Sequence, residues 1–446
     1  MEDTIVAIST SLGVGAISII RVSGNEAIEI VNKITKNTIK NQKTHTIKHN
    51  YIIENNDIVD EVMISIMKGP KSYTKEDIVE INIHGGIAPT NKILELLIEN
   101  GCRLANPGEF TKRAFLNGRI DLIEAEGIMD MINSTTEKSL KMAVSQLDGS
   151  SSKLIKNLRE KLIQIISNIE VNIDYPEYYD INNVTNNDIL MQIDDIILEM
   201  NNIINNSKDA SIIKDGINTV IIGKPNVGKS SLLNMLINQE KAIVTDIPGT
   251  TRDIVEGQIY IDGIKLNIID TAGIRKTDDV IENIGVKKSL KLLNEAQLII
   301  LVLNNNEAIM KEELELIKTI KDKNYIIVVN KNDLEKKLKI DDDAIYISAL
   351  NNEGAEKIKN KIKELFNLEK IDNGDFNYIS SSRSIGILKE SLNIIKKIKK
   401  DIKNQIPIDM IEIDLKIVWN KLGEIIGETY EEELLDELFS RFCLGK

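Results

Sequence analysis

Thr219-Val-Ile-Ile-Gly-Lys-Pro-Asn-Val-Gly-Lys-Ser-Ser-Leu-Leu-Asn-Met-Leu-Ile237 is the stretch that decides the fold. A short β-branched run, Thr219–Ile222, leads into Gly223-Lys-Pro-Asn-Val-Gly-Lys-Ser230, and an amphipathic helix over Ser231–Ile237 follows. The middle segment fits G-x-x-x-x-G-K-[ST] in the strand-loop-helix context that this motif needs. Its glycines let successive backbone N–H groups turn inward around phosphates, and the helix N-terminus adds its dipole. Lys229 brings a point charge to the β- and γ-phosphates, and Ser230 offers a hydroxyl to Mg²⁺. Gly223, Asn226, Val227, Gly228, Lys229, Ser230 and Ser231 are therefore the candidate phosphate contacts.

Three further motifs lie downstream, each placed relative to a strand-like run. Asp270-Thr271-Ala272-Gly273 ends Leu266–Ile269; its carboxylate reaches Mg²⁺ through water, and the Gly273 N–H meets the γ-phosphate. Between it and the phosphate loop, Thr245, Asp246, Ile247, Pro248, Gly249, Thr250 and Thr251 form a candidate switch segment. One of its threonines, assigned as Thr251, is expected to take Mg²⁺ only when the γ-phosphate is present. Asn330-Lys331-Asn332-Asp333 ends Tyr325–Val329. Asp333 accepts hydrogen bonds from both N1–H and the N2 amino group of guanine, a donor pair that adenine lacks. Ser348-Ala349-Leu350, after Ala344–Ile347, is expected to turn a backbone N–H toward guanine O6. Any one of these is also an ordinary Gly or Asn-Asp turn; all of them in order at strand ends point to a guanine nucleotide.

Around this core, Thr219–Ile222, Leu266–Ile269, Leu298–Leu303, Tyr325–Val329 and Ala344–Ile347 alternate with helical stretches, which predicts a doubly wound parallel sheet over 215–370. Upstream, residues 1–118 mix strand-like Thr4–Ile8, Ala16–Val22, Val62–Met67 and Ile78–Ile83 with helical Glu26–Ile34 and Ala88–Glu99, an α+β pattern. Leu154, Leu158, Leu162, Ile165, Ile169 and Ile173 mark a long amphipathic helix, and Ile189–Ile204 a second. Ile385–Lys403, Asp409–Leu422 and Tyr430–Phe442 are helical again. The expected architecture is a P-loop α/β domain inserted in a discontinuous helical domain, 119–214 plus 371–446, preceded by the α+β domain.

With 446 residues, 42% hydrophobic and 28% charged, the chain is long enough for several packed domains, and wholesale disorder is excluded. Its net charge of −13 argues against coating nucleic acid non-specifically. Two cysteines, Cys102 and Cys443, cannot make a disulfide framework or a four-cysteine zinc site, which fits a reducing, cytoplasmic setting. Met1–Thr10 has acids where a signal peptide needs bases, and no apolar run approaches the roughly 20 residues of a membrane span. Lys396, Lys397, Lys399, Lys400 and Lys403 are the densest basic cluster; a solvated helix face is the preferred reading and an RNA contact the alternative.

Three other stretches carry a family resemblance. Ala16-Ile-Ser-Ile-Ile-Arg-Val-Ser-Gly24 and Ser72-Tyr-Thr-Lys-Glu-Asp-Ile-Val-Glu-Ile-Asn-Ile-His-Gly-Gly86 resemble the first domain of the MnmE/TrmE tRNA-modification GTPases. Pro107-Gly-Glu-Phe-Thr-Lys-Arg-Ala-Phe-Leu-Asn-Gly-Arg119 resembles the junction to their helical domain, and Phe442-Cys-Leu-Gly-Lys446 their Phe-Cys-Ile-Gly-Lys ending, with Leu444 for Ile. The resemblance implies a homodimer formed through the N-terminal domains. It also implies work with an FAD-dependent MnmG/GidA-like partner, in a heterotetramer, to place a carboxymethylaminomethyl or aminomethyl group on C5 of the tRNA wobble uridine. A tetrahydrofolate derivative (5-formyl or 5,10-methylene) supplies the one-carbon unit, with Arg21, Glu80, Arg119 and Lys446 at the matching positions. It further implies K⁺-stimulated hydrolysis, with Asn226, Thr245, Ile247 and Thr250 as K⁺ ligands and Glu282 positioning water, since Ile274 stands where Ras-like enzymes place a glutamine. From the residues alone, the preferred reading of Glu282 is a residue that caps or solvates the next helix. Cys443 is a candidate nucleophile or a structural thiol, His84 a turn or packing residue in preference to a base, and Arg275 a switch-stabilising cation. The runner-up is an Era- or Der-like ribosome-assembly switch; helices follow the α/β segment here where a KH-like RNA domain would be expected.

Overall fold

The computed structural model describes residues 3–174, 186–239, 257–261, 263–269, 293, 295–340, 343–366, 378–430 and 432–445. The chain divides into two compact units. One holds Met1–Met129, Gln146–Ile197 and Gly386–Lys446; the other holds Asp130–Ser145 and Leu198–Ile385.

In the first unit, β1 (Ile5–Ile8), β2 (Ile17–Ser23), β3 (Thr46–Glu54), β4 (Asp57–Met67), β5 (Ile78–His84) and β6 (Arg103–Leu104) form a sheet in the order β3-β4-β5-β2-β1-β6. Its pairings are antiparallel except β1 with β6. Period-2 alternation sorts the side chains. Ile20, Val22, Val79, Ile81 and Ile64 point into a core shared with α1 (Ala27–Lys33) and α2 (Ile87–Glu99). Arg21 and Glu80 stand directly opposite each other on the other face. The β3–β4 hairpin, absent from the sequence expectation, turns on Asn55 and Asn56, both at positive φ (50° and 72°). That pair is a type I′ signal, hidden because β3, TIKHNYIIE, is an edge strand without a clean apolar alternation: Asn50 is buried while Ile47 is exposed.

After α3 (Glu109–Leu116), α4 (Leu122–Asn133) and α5 (Glu137–Leu147), the predicted long helix is α6, Ser150–Asp174. Its Ile155, Leu158, Leu162, Ile165 and Ile169 are buried, and α12 (Ile408–Ile426) packs against it. Arg159 of α6 stacks 4.0 Å from the Trp419 ring and pairs with Glu428. A Cβ on Gly423 would lie 3.3 Å from the Arg159 guanidinium carbon, so the glycine leaves room for the stack. In α13 (Glu432–Ser440), Phe439 meets Phe115 and Phe442.

The second unit contains the lower part of α7 (Asn186–Asp215) and a sheet of β7 (Ile217–Ile222), β8 (Gly257–Ile261), β9 (Ile264–Ile268), β10 (Leu298–Asn304), β11 (Tyr325–Asn330) and β12 (Ala344–Tyr346). The order is β12-β11-β10-β7-β9-β8. Every residue of β10 is buried, as a central parallel strand requires. Helices α8 (Lys229–Gln239), α9 (Lys311–Ile320) and α10 (Ala355–Leu365) follow β7, β10 and β12. β8 departs from the all-parallel expectation: it pairs antiparallel with β9. Only residues 262 and 263 separate the two strands, and so short a link can only reverse the chain. The linking helix α11 (Ser382–Lys403) spans residues of both units.

Arg113, 1% exposed, ties the first unit's buried charges together. It donates to Glu109 (3.0 Å), Asp3 (2.8 Å) and both Glu76 oxygens (3.2 Å), while Arg103 grips Glu109 from the other side at 2.5 Å. Burial raises the Glu109 pKa, but Arg103, the Asn106 N–H and Arg113 outweigh it and hold the carboxyl below its ordinary value. A carboxylate depressed in this way adds stability above its unfolded pKa of about 4.3 and loses it as pH falls through the folded value. Arg113→Ala should cost about 3–5 kcal/mol at pH 7, because it takes one cation from buried Glu109 and half-buried Glu76 and leaves the site of a large buried side chain empty, and should flatten the acid limb of the stability profile. Urea unfolding followed by Trp419, the chain's one tryptophan and a member of this unit, measures both; a loss under about 1 kcal/mol would refute the buried-network account.

Candidate functional site

β7 sits at the centre of its sheet, between β10 and β9, and the loop 223–228 leaves its carboxyl end, where open α/β sheets bind ligands. The inward turn of that loop needs Gly223 (φ 149°), Asn226 (φ 64°) and Gly228 (φ 99°). Side chains would also collide: a Cβ on Gly223 would fall 2.3 Å from the Val302 carbonyl, and one on Gly228 2.1 Å from Asn330 Nδ2. Val227 plugs into the sheet core at 2% exposure. Lys229 Nζ donates to the carbonyls of Gly223 and Lys224, each at 2.7 Å. The loop thus holds the ammonium across its own mouth, and burial lowers its pKa. Ser230 and Ser231 are exposed at the start of α8.

Asn330 couples this loop to the 348–350 segment, the candidate for base recognition. Its Nδ2 donates to the Val227 carbonyl at 2.9 Å, and its Oδ1 accepts from the Ala349 N–H at 3.0 Å. Ser348 Oγ donates to Asp333 Oδ1 at 2.5 Å, which fixes the carboxylate. Lys331 takes φ 64° and Leu350 is 83% exposed beside it in the same loop cluster. The structure therefore gathers Asn330, Lys331, Asp333, Ser348, Ala349 and Leu350 next to the phosphate loop. In this arrangement the Ala349 N–H is bonded to Asn330, and the bracing role of Asn330 was not foreseen from sequence. Thr245, Asp246, Ile247, Pro248, Gly249, Thr250, Thr251, Asp270, Thr271, Ala272, Gly273, Arg275 and Glu282 lie outside the described residues.

A second constellation forms on the face of the N-terminal sheet opposite α1 and α2. Arg21 Nε donates to Glu80 Oε1 at 2.8 Å and Nη1 to the Gly445 carbonyl at 3.1 Å. Ser9 Oγ donates to the same carbonyl at 3.2 Å. Gly445 has φ 85°, and a Cβ there would lie 2.3 Å from the Ile8 carbonyl, so only glycine lets the segment lie this close. The Gly108 N–H donates to the Cys443 carbonyl at 3.3 Å, and the Cys443 side chain is exposed. Tyr73, not singled out from sequence, sits beneath both cations: the guanidinium of Arg119 is 4.7 Å from its ring centre and that of Arg21 5.9 Å. Its hydroxyl bonds Thr111 at 2.9 Å. Burial raises its pKa, partly countered by Thr111 and the two arginines. Arg21, Glu80 and Arg119 are thus brought together around one aromatic platform; Lys446 lies outside the described residues. His84 ends β5 with an exposed ring bonded to Asp60 at 2.6 Å, so it is not a packing residue. Cys102 is buried, and burial pushes its thiol up to about 12. Among the described residues no cluster of three or more His, Cys, Asp or Glu could hold a metal ion, and no helix is long and apolar enough to cross a membrane.

Asn330→Ala removes two bonds that lock the loop to the base-recognition segment. At about 1 kcal/mol each, nucleotide affinity should fall roughly 30-fold. Titration with a fluorescent GDP analogue measures it; an unchanged Kd would mean that the brace does not set the site.

Comparison with known proteins bears on the whole chain. Residues 4–119 match the family described as the GTP-binding protein TrmE N-terminus, and 122–443 match the MnmE helical domain. The chain is 48% identical over 453 residues to the tRNA modification GTPase MnmE of Streptococcus thermophilus, covering 100% of this chain and 98% of that one. It is 46% identical to the proteins of the same name from Bacillus licheniformis (over 458 residues, 100% of each chain) and Listeria innocua (over 454 residues, 100% of this chain and 99% of that one). With its phosphate loop, its N-terminal sheet and its helices all inside these matches, the chain belongs to the MnmE/TrmE family of tRNA modification GTPases.

Proposed function

We propose that this GTP hydrolase is stimulated by K⁺ and, with a flavin-dependent MnmG-like partner, installs the carboxymethylaminomethyl or aminomethyl group at C5 of the tRNA wobble uridine. The observation that carries the reading is the presence in one chain of two separate constellations. One is a phosphate loop with its lysine seated; the other is a pair of arginines over Tyr73 with Glu80 alongside. The domain division that goes with it is 1–118, 119–214 plus 371–446, and 215–370.

At the first site the chain's own groups bind and orient the triphosphate. Lys229 and the loop N–H groups would grip the phosphates, Asp333 would select guanine, and the Gly273 N–H would meet the γ-phosphate. Glu282 positions the attacking water through a second water, because Ile274 has no polar atom to do so. Ser230 and Thr251 would hold Mg²⁺, and Asn226, Thr245, Ile247 and Thr250 would hold K⁺; both ions supply positive charge where negative charge develops on the phosphates. Asn226, exposed and at φ 64°, is the one described member of the K⁺ set.

At the second site, Arg21, Arg119 and Lys446 would pair with the acidic tail of a tetrahydrofolate and Glu80 with its polar ring edge, while the bound folate would supply the one-carbon unit. The exposed Cys443 thiol, beside the Gly445 segment that reaches Arg21, is the chain's candidate for chemistry there. Dimerisation through the N-terminal domains and a cytoplasmic location complete the proposal.

Hydrolysis should run several-fold faster in K⁺ than in Na⁺ at equal ionic strength and be lost in Glu282→Ala with GTP binding retained. Equal rates in the two salts would remove the K⁺ role, and normal turnover in the variant would return Glu282 to the helix-cap reading. Arg119→Ala should weaken binding of 5-formyltetrahydrofolate at least tenfold by calorimetry, since a charge-assisted contact contributes about 1.5–3 kcal/mol. Unaltered affinity would move the folate elsewhere. Mass spectrometry of wobble nucleosides from cells lacking the protein tests the whole reading: an unchanged modification profile would overturn it.

A further inference from the structure

The basic run of α11 resolves into two sets. Lys397 pairs with Asp414 at 3.0 Å, and Lys399 pairs with Asp194. Lys389, Lys396, Lys400 and Lys403 are exposed, and no ion pair forms to them among the described residues. At 100° per residue these four fall within an arc of about 60°. Their spacing of seven, four and three residues sets them in one line about 21 Å long. A solvated helix face is normally laced with acids three or four residues from its bases. Here every such neighbour (Ile385, Gly386, Leu392, Asn393, Lys397, Lys399, Asn404, Ile406, Pro407 and the lysines themselves) is neutral or basic. The acids of this helix lie elsewhere: Glu390, bonded to Lys421, and Asp401 are each more than about 100° round from the centre of the row.

Four unneutralised cations in a row on a chain of net charge −13 are a local departure from its overall field. We infer that this face of α11 holds the phosphate backbone of a folded RNA, which, resting on the tRNA reading above, is the substrate tRNA. A membrane surface fits less well. An interfacial helix sinks an exposed apolar face beside its cations, whereas the apolar face of α11 (Leu388, Leu392, Ile395, Ile398 and Ile402) is buried within the protein and the exposed uncharged residues in or beside the lysine row are Ser382 and Asn393. The contact is sequence-independent and positions the RNA; base recognition lies with other groups.

The test is tRNA binding by the full chain, followed by fluorescence anisotropy across a salt series. Replacing Lys389, Lys396, Lys400 and Lys403 together by Gln should weaken binding tenfold or more at about 100 mM salt. It should also reduce the slope of log K against log salt by about 3, as expected for four lost phosphate contacts. The matching Lys→Arg variant should bind as the unaltered chain does, and GTP hydrolysis should be the same in all three. Unchanged affinity and slope in the Gln variant would overturn this assignment while leaving the tRNA reading in place. Failure of the unaltered chain to bind tRNA would overturn both. If the Gln variant lost binding to phosphatidylserine vesicles but not to tRNA, the face would belong to a lipid surface and the RNA assignment would fall.

Discussion

A chain that grips phosphate with its own backbone must aim several N–H groups at one small volume, and that constraint governs the nucleotide unit. L-residues with side chains resist the required dihedrals, so Gly223 and Gly228 take the worst of them and Asn226 the third. The bend is then locked from outside. Val302 and Asn330 close against the two glycines, Val227 anchors in the core, and Lys229 spans the mouth. Strand order follows from the same need, since only a central β7 puts the loop between neighbours that can supply those walls.

Asn330 makes the site one object. A single amide bonds the phosphate loop on one side and the Ala349 backbone on the other, so the two loops share a rigid link. In the first unit Arg113 does comparable work. Carboxylates from exposed Asp3, half-buried Glu76 and buried Glu109 converge on one buried guanidinium, and the cost of burying Arg113 and Glu109 is offset by these pairings. This cluster joins α3 to the strand β1 side of the sheet.

Much of the fold was legible from residue pattern. The strands β7, β10 and β11 are apolar runs with abrupt polar ends, and α6 shows its buried face as an unbroken three- and four-residue spacing. β3 and β8 were not legible, because both are edge strands whose half-polar sequences carry no buried run. Tyr73 was also missed: it lies inside a quoted motif, but nothing local distinguishes a tyrosine that packs from one that supports two arginines contributed by residues 52 before and 46 after it.

The sequence by itself determined the chemistry available: a glycine-framed phosphate loop, a carboxylate able to recognise guanine, two arginines and a glutamate at motif positions. Those depend on residue type and short spacing, which a chain carries whether folded or not. Only the tertiary structure decided which of these groups meet. Arg21 and Glu80 are 59 residues apart and become a pair through strand register. Likewise, the lysines of α11 look alike in sequence, and only the packing of Asp194 and Asp414 against the helix neutralises two of them and leaves a charged row. Long-range pairing is set by the whole buried core, and no local window of residues contains that information.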